Sequence, residues 1–239
     1  MKIPTIKGII ERRILINYQI EAQVLKDFLP PPFQPKLIKG KGIAGICLIR
    51  LKQVRPKGLP KQLGISSENG AHRIAVEWME EGVQKEGVYV PRRDTSSRLN
   101  ALAGGRIFPG VHHLADFSIN EREGHYAIEF KSDDETFLSI DATETNDWNP
   151  QSIFESQQIA SDFLKQGSVG YSPDKTGDVF DGLELHTYEW KTIPLSVANV
   201  RSSFFENETV FPKGSIQFDN ALLMKNIEHE WKGLNQIKV

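Results

Sequence analysis

Four arginines, Arg92, Arg93, Arg98 and Arg106, fall between positions 92 and 106 against one acid, Asp94. The chain as a whole is nearly charge-balanced, with 29 Lys and Arg against 31 Asp and Glu, so this cationic excess is local. A guanidinium is a planar fork of donors that grips a carboxylate at two points. A cluster facing a cavity would suit a small anion, with Arg106, Arg92 and Arg93 as its partners. A solvated helix face with one or two ion pairs fits the same spacing, and the sequence leaves both open. His112 and His113 follow. Neighbouring strand residues point to opposite faces, so both do not readily ligate one ion, and no H-x-x-x-H or acidic spacing completes a set. No metal is expected. On a continuing strand His113 shares a face with Ala115, Phe117 and Ile119, whereas His112 sides with Asp116 and Ser118. His113 is therefore the expected inward residue, either a general acid or base or a hydrogen-bonded core histidine. Glu68, in a loop reading Ser66-Ser67-Glu68-Asn69-Gly70, is a further proton-transfer candidate, although such loop carboxylates are commonly solvated.

Other chemistries find less support. Cys47 is the single cysteine, in an apolar run with no basic neighbour in sequence, and reads as inert. Gly40-Lys41-Gly42-Ile43-Ala44-Gly45 matches the dinucleotide fingerprint, but that fingerprint needs a strand before it and a helix after it. Here a Pro-rich approach precedes an apolar β-type run, so a turn into a buried strand is expected, and no cofactor. No nucleophile-elbow or phosphate-loop pattern occurs.

The elements that must position these residues are mostly strands. Strand signals cover Arg13–Ile20, Ile43–Val54, Ala71–Met79, Gly87–Arg92, Leu114–Asn120, Tyr126–Phe130, Leu138–Ala142, Leu183–Trp190, Leu195–Phe205 and Ala221–Trp231. Helical spacing marks Glu21–Leu29, stopped by Pro30-Pro31-Pro32, then Thr95–Ile107, and Ile153–Gln166 with Ser152 and Glu155 in capping-box spacing. No repeat or linker divides the 239 residues, and one domain over 1–239 is expected.

Composition narrows the partners. Without a global basic field, neither nucleic acid nor an anionic membrane surface is an expected partner. Charges interrupt the N-terminal apolar stretches, and no run of about 18 apolar residues exists, so a soluble cytoplasmic protein is expected.

Three segments carry a resemblance: Ile16 to Pro32, where strand, short helix and Leu-Pro stop follow in order, Glu68 to Trp78, and Gly87 to His113. They resemble the acetoacetate decarboxylase-like superfamily, and more closely its DUF2071 (YqjF-like) branch, densely over roughly 11–120. The resemblance implies a mainly β fold: a conical antiparallel β-barrel wrapped by additional strands, with a few short helices and a closed pocket inside. Acetoacetate decarboxylase itself is similar around Gly105-Arg106 and Pro109, and there continues into two adjacent lysines, one forming a Schiff base. Val111-His112-His113 stands in that place, and imidazole forms no iminium. Glu68 looks like that enzyme's pocket glutamate, and Arg12 or Arg13 lies near its substrate arginine. The second family glutamate falls near Gly45 and Ile46, which carry no acid.

The expectation is a barrel that binds a small anionic organic molecule. Arg106, Arg92, Arg93 and Arg12 would hold it, with His113, His112 and Glu68 for lyase, isomerase or hydratase chemistry on a carbonyl compound. A non-catalytic binding or sensing module is the alternative, and a fully packed structural barrel a third reading. Related barrels assemble through outer strands, so a homo-oligomer is compatible with each.

Overall fold

Both faces of the longest strands are apolar, and a strand of that kind demands a core on each side. The computed structural model describes residues 4–103 and 109–238. The first half of its sheet is β1 (Ile6–Glu21), β2 (Gln34–Pro35), β3 (Leu37–Ile38), β4 (Lys41–Pro56), β5 (Ile65–Glu80), β6 (Val83–Thr95) and β7 (His112–Arg122). Then come β8 (His125–Ser132), β9 (Phe137–Glu144), β10 (Val169–Pro173), β11 (Val179–Thr187), β12 (Ile193–Ser202), β13 (Ile216–Gly233) and β14 (Ile237–Lys238). Three α-helices, α1 (Ala22–Phe28), α2 (Arg98–Ala103) and α3 (Gln157–Gln166), lie between them among the described residues.

The hydrogen-bonding pattern makes two rings. One runs β6-β7-β8-β9-β12-β13-β1-β4-β5 and returns to β6. The other leaves β6 through β10 and β11, rejoins β13, and returns by β1, β4 and β5. The pairings are antiparallel except where β6 meets β7 and β10. Strands β13, β1, β4, β5 and β6 belong to both rings, and their alternate side chains enter different cores. Ile14, Ile46, Ile74 and Leu223 join the larger core with Ile128 and Ile140. Leu15, Cys47, Ala75 and Leu222 join the second, which α3 covers with Ala160, Phe163 and Leu164. The result is the mainly β, ring-like sheet expected from the sequence.

Several boundaries differ. The capping role falls to Ser156, whose Oγ accepts the Ile159 N–H, so α3 begins at Gln157 and not at Ile153. Ser152 instead donates to Asp219 at 2.7 Å, which ties the preceding loop to β13. β6 continues through Thr95, shortening the expected Thr95–Ile107 helix to α2, while 104–108 lie outside the described residues. The glycine fingerprint is a turn into β4. Gly40 has φ +81, and a Cβ on Gly45 would sit 2.0 Å from the Ile16 carbonyl oxygen, so β1 and β4 approach only because the side chain is missing.

Candidate ligand-binding site

Register places a chemically mixed row across the shared strands. Leu15 lies opposite Cys47, Cys47 opposite Ala71, Ala71 opposite Arg93, and Arg93 opposite His112. Directly opposed residues project from one face of a sheet. On this face a cavity of about 120 Å³ opens inside the second core, walled by Arg13, Cys47, Arg73, Arg93 and His112 beneath Leu183 and Trp231. At roughly 10–15 Å³ per water-sized group, it holds on the order of ten heavy atoms. The second core is thus not fully packed.

A bulge decides which arginine enters. Ile74 pairs with Tyr89 and His72 with Arg92, so Arg73 alone faces Val90 and Pro91 together. The extra residue reverses the alternation of β6. Val88 and Val90 line the cavity before it, and Arg93 lines the cavity after it. Arg92 turns away, donating to Asp94 at 2.7 Å and to Asp134 at 2.7 Å.

The cavity cations lack acid partners. Arg93 donates through Nε and Nη2 to Ser172 Oγ at 3.2 and 3.1 Å. Arg73 donates through Nη2 to Asn17 Oδ1 at 2.5 Å and through Nε to Cys47 Sγ at 3.1 Å. Arg13, 9% exposed, reaches Cys47 Sγ with Nη2 at 3.6 Å, and its Nε and Nη1 have no hydrogen-bond partner. Among the described residues no carboxylate lies within ion-pair distance of these three. Asp94 lines the cavity, but Arg92 and the Ser132 hydroxyl, at 2.6 Å, already engage it. Two buried charges, Arg13 and Arg73, with the half-buried Arg93 beside them and no acid, are expensive unless an anion joins them.

Electrostatics follow from this arrangement. Burial lowers the Arg93 guanidinium to about 10, against a smaller opposing pull from Cys47. Burial raises the Cys47 thiol, but Arg13 and Arg73 together outweigh it and hold the group below its ordinary value. The His112 imidazole falls to about 3, through burial first and then the Arg93 charge, so it is neutral near pH 7.

The expected site residues therefore separate. Arg93 and His112 come together at the cavity. His113 does not: it shares the face of Ala115, which packs in the larger core, while the cavity opens on the opposite face. Its Nδ1 lies 3.6 Å from Asp134. His113, Asp133 and Asp134 place three possible ligand atoms within 4.8 Å, but Arg92 already binds Asp134. Glu68 is in β5 and not in a loop, and its carboxylate accepts from Arg12 at 2.6 Å and from Arg50. Arg12 also pairs with Glu121, as does Arg50, at 3.0 Å. These four residues form an ion-pair network away from the cavity wall. Arg106 lies outside the described residues.

Cys47, Arg13 and Arg73 escaped sequence reasoning as a group. Cys47 has no basic neighbour along the chain, yet two arginines reach it across strands, a contact that sequence spacing does not show. The available signal was parity: Arg13 alternates with Leu15, and Arg73 with Ala71 and Ala75.

Solved structures share this architecture. The acetoacetate decarboxylase of Legionella pneumophila aligns with TM-score 0.61 at 13% identity, over 97% of this chain and 87% of that one. An acetoacetate decarboxylase-like enzyme from Sphingomonas wittichii gives 0.59 at 9%, over 100% and 94%. The enduracididine biosynthesis enzyme MppR, complexed with the condensation product of pyruvate and imidazole 4-carboxaldehyde, gives 0.59 at 8%, over 98% and 88%. Among curated proteins none matches the sequence. The model of the DUF2071 family, described as an uncharacterised conserved protein, matches residues 10–218, and with an acetoacetate decarboxylase-like fold around its arginine-lined cavity the chain belongs to that family.

Proposed function

We propose that the protein binds a small organic carboxylate in the cavity, held by Arg13, Arg73 and Arg93. The observation that carries this reading is two buried guanidiniums, Arg13 and Arg73, and the half-buried Arg93 beside them, with no acid partner among the described residues and two unpaired nitrogens on Arg13. The volume of about 120 Å³ suits a short acid and is too small for a nucleotide. Neutral His112 supplies a hydrogen-bonding group at the wall, while Glu68 and Arg12 hold the neighbouring strands together.

The finer reading is acid–base chemistry on a carbonyl compound without an iminium. No lysine lines the cavity among the described residues, and none occurs between Gly87 and Leu114. The neighbour MppR has been solved with pyruvate, which makes 2-oxo acids the first compounds to test. A non-catalytic binding module is the other outcome, and turnover on a panel of oxo acids separates the two.

Binding itself is read by thermal shift. A ligand at a hundred times its Kd stabilises by about 2.7 kcal/mol, roughly 5–10 °C for a chain of this size. Small carboxylates should raise the midpoint and their amides should not. An equal response to both, or none to any carboxylate, refutes the anion site.

A further inference from the structure

The cavity holds one group that anion binding does not use. Cys47 Sγ lies at the wall, 3% exposed, between Arg73 Nε at 3.1 Å and Arg13 Nη2 at 3.6 Å. A sulfur that merely fills a core needs no donors, and a neutral thiol is a weak acceptor. Two guanidiniums aimed at it suit a negative sulfur. Arg13 keeps Nε and Nη1 unpartnered in the same buried space, so a donor set for a second anion lies beside the sulfur.

We infer that Cys47 is the nucleophile of this cavity, and that its substrates are small carboxylates carrying an electrophilic carbon close to the carboxylate. The inference rests on the anion site proposed above. With a 2-oxo acid, a sulfur lone pair forms the C–S bond at C2 while the C=O π pair moves to oxygen. That oxygen takes a proton from water, giving a thiohemiketal, and reversal restores both partners without any oxidant. The arginines have two tasks: Arg73 and Arg13 keep the sulfur charged, and Arg93 with the free nitrogens of Arg13 faces the carboxylate. The lowered Cys47 thiol agrees with that division.

Alkylation of the wild-type protein tests this with iodoacetate and iodoacetamide, followed by intact mass and peptide mapping. In each case sulfur displaces iodide from carbon, and the two reagents differ chiefly in charge. An ordinary thiol near pKa 8.5 speeds up about a hundredfold between pH 6 and 8.5. Cys47 should change less than about threefold, and relative to the urea-unfolded chain should favour iodoacetate over iodoacetamide by at least about tenfold. Arg93→Met should lose the preference and keep the flat pH profile, and Cys47→Ala should take no label. A hundredfold rise with pH, or no labelling of the folded protein, overturns the nucleophile, even if carboxylates still shift the melting midpoint. A flat profile without preference for iodoacetate overturns the carboxylate class and the anion site with it.

Discussion

Replacing His72 with leucine should make the protein markedly more resistant to acid while changing it little at pH 7. His72 is fully buried in β5, its ring centroid 4.5 Å from that of Phe204, and neither ring nitrogen makes a hydrogen bond. Burial, aided by the Arg92 charge, lowers its pKa to about 3. Its Nδ1 lies 3.8 Å from Asp94, but Arg92 already engages that carboxylate and cancels the attraction. Above about pH 6.5 both the folded and unfolded imidazoles are neutral, and the residue is indifferent to pH. Below 6.5 the unfolded chain binds a proton that the folded chain refuses, so stability falls as pH falls, until the folded group titrates near 3. Between pH 7 and 5 the loss is about 2 kcal/mol for such a histidine. His229, also fully buried and lowered to about 4, adds a comparable amount. Wild type should therefore lose about 4 kcal/mol from these two residues over that interval, and His72→Leu about half of it. Urea unfolding followed by tryptophan fluorescence at pH 7, 6 and 5 measures the difference directly, since the other titrating groups are common to both proteins. Parallel curves for the two would refute the account.

Glu68→Gln should destabilise by about 3 kcal/mol, because Arg12 is 2% exposed and would keep only Glu121, yet carboxylate binding by thermal shift should persist. Gly110→Ala should cost about 1–3 kcal/mol and weaken carboxylate binding in the same titration. Gly110 has φ +83, and its new Cβ would lie 2.7 Å from the Cβ of Ser172, the partner of Arg93. Gly45→Ala should cost more than about 4 kcal/mol, seen as loss of soluble folded protein, because the clash is with backbone at 2.0 Å and no side chain can yield. Borohydride reduction with acetoacetate or pyruvate should leave the intact mass unchanged, since no lysine lines the cavity among the described residues.

The fold was largely legible because apolar runs such as Ile43–Val54 and alternating ones such as Tyr126–Phe130 carry their strand period locally. β10 was missed for the opposite reason: Val169–Pro173 is five residues with glycine and proline, held by pairing with β6 and β11. At the site, type was legible and direction was not. Arg92 and Arg93 have equal local claims, and only the unequal pairing opposite Arg73 turns one in and the other out. His113 shares the face of Ala115 and Phe117, yet its side chain is 33% exposed beside Asp134, and parity names a face and not which of two cores holds the space. Cys47 and its arginines are 26 and 34 residues apart in sequence, and only strand register joins them.

The five strands common to both rings act as a party wall between two rooms. A substitution in that wall can be furnished from one side without the other noticing, so the arginine room is free to change its contents while Ile14, Ile46 and Ile74 stay put. An insertion or deletion has no such privacy. Moving β1 by one residue would send Arg12 into the cavity in place of Arg13 and take one of its two arginine partners from Glu68 in the same stroke. Lineages of this architecture should therefore diversify ligands by exchanging letters along the wall, and confine changes of length to the turns beyond its ends.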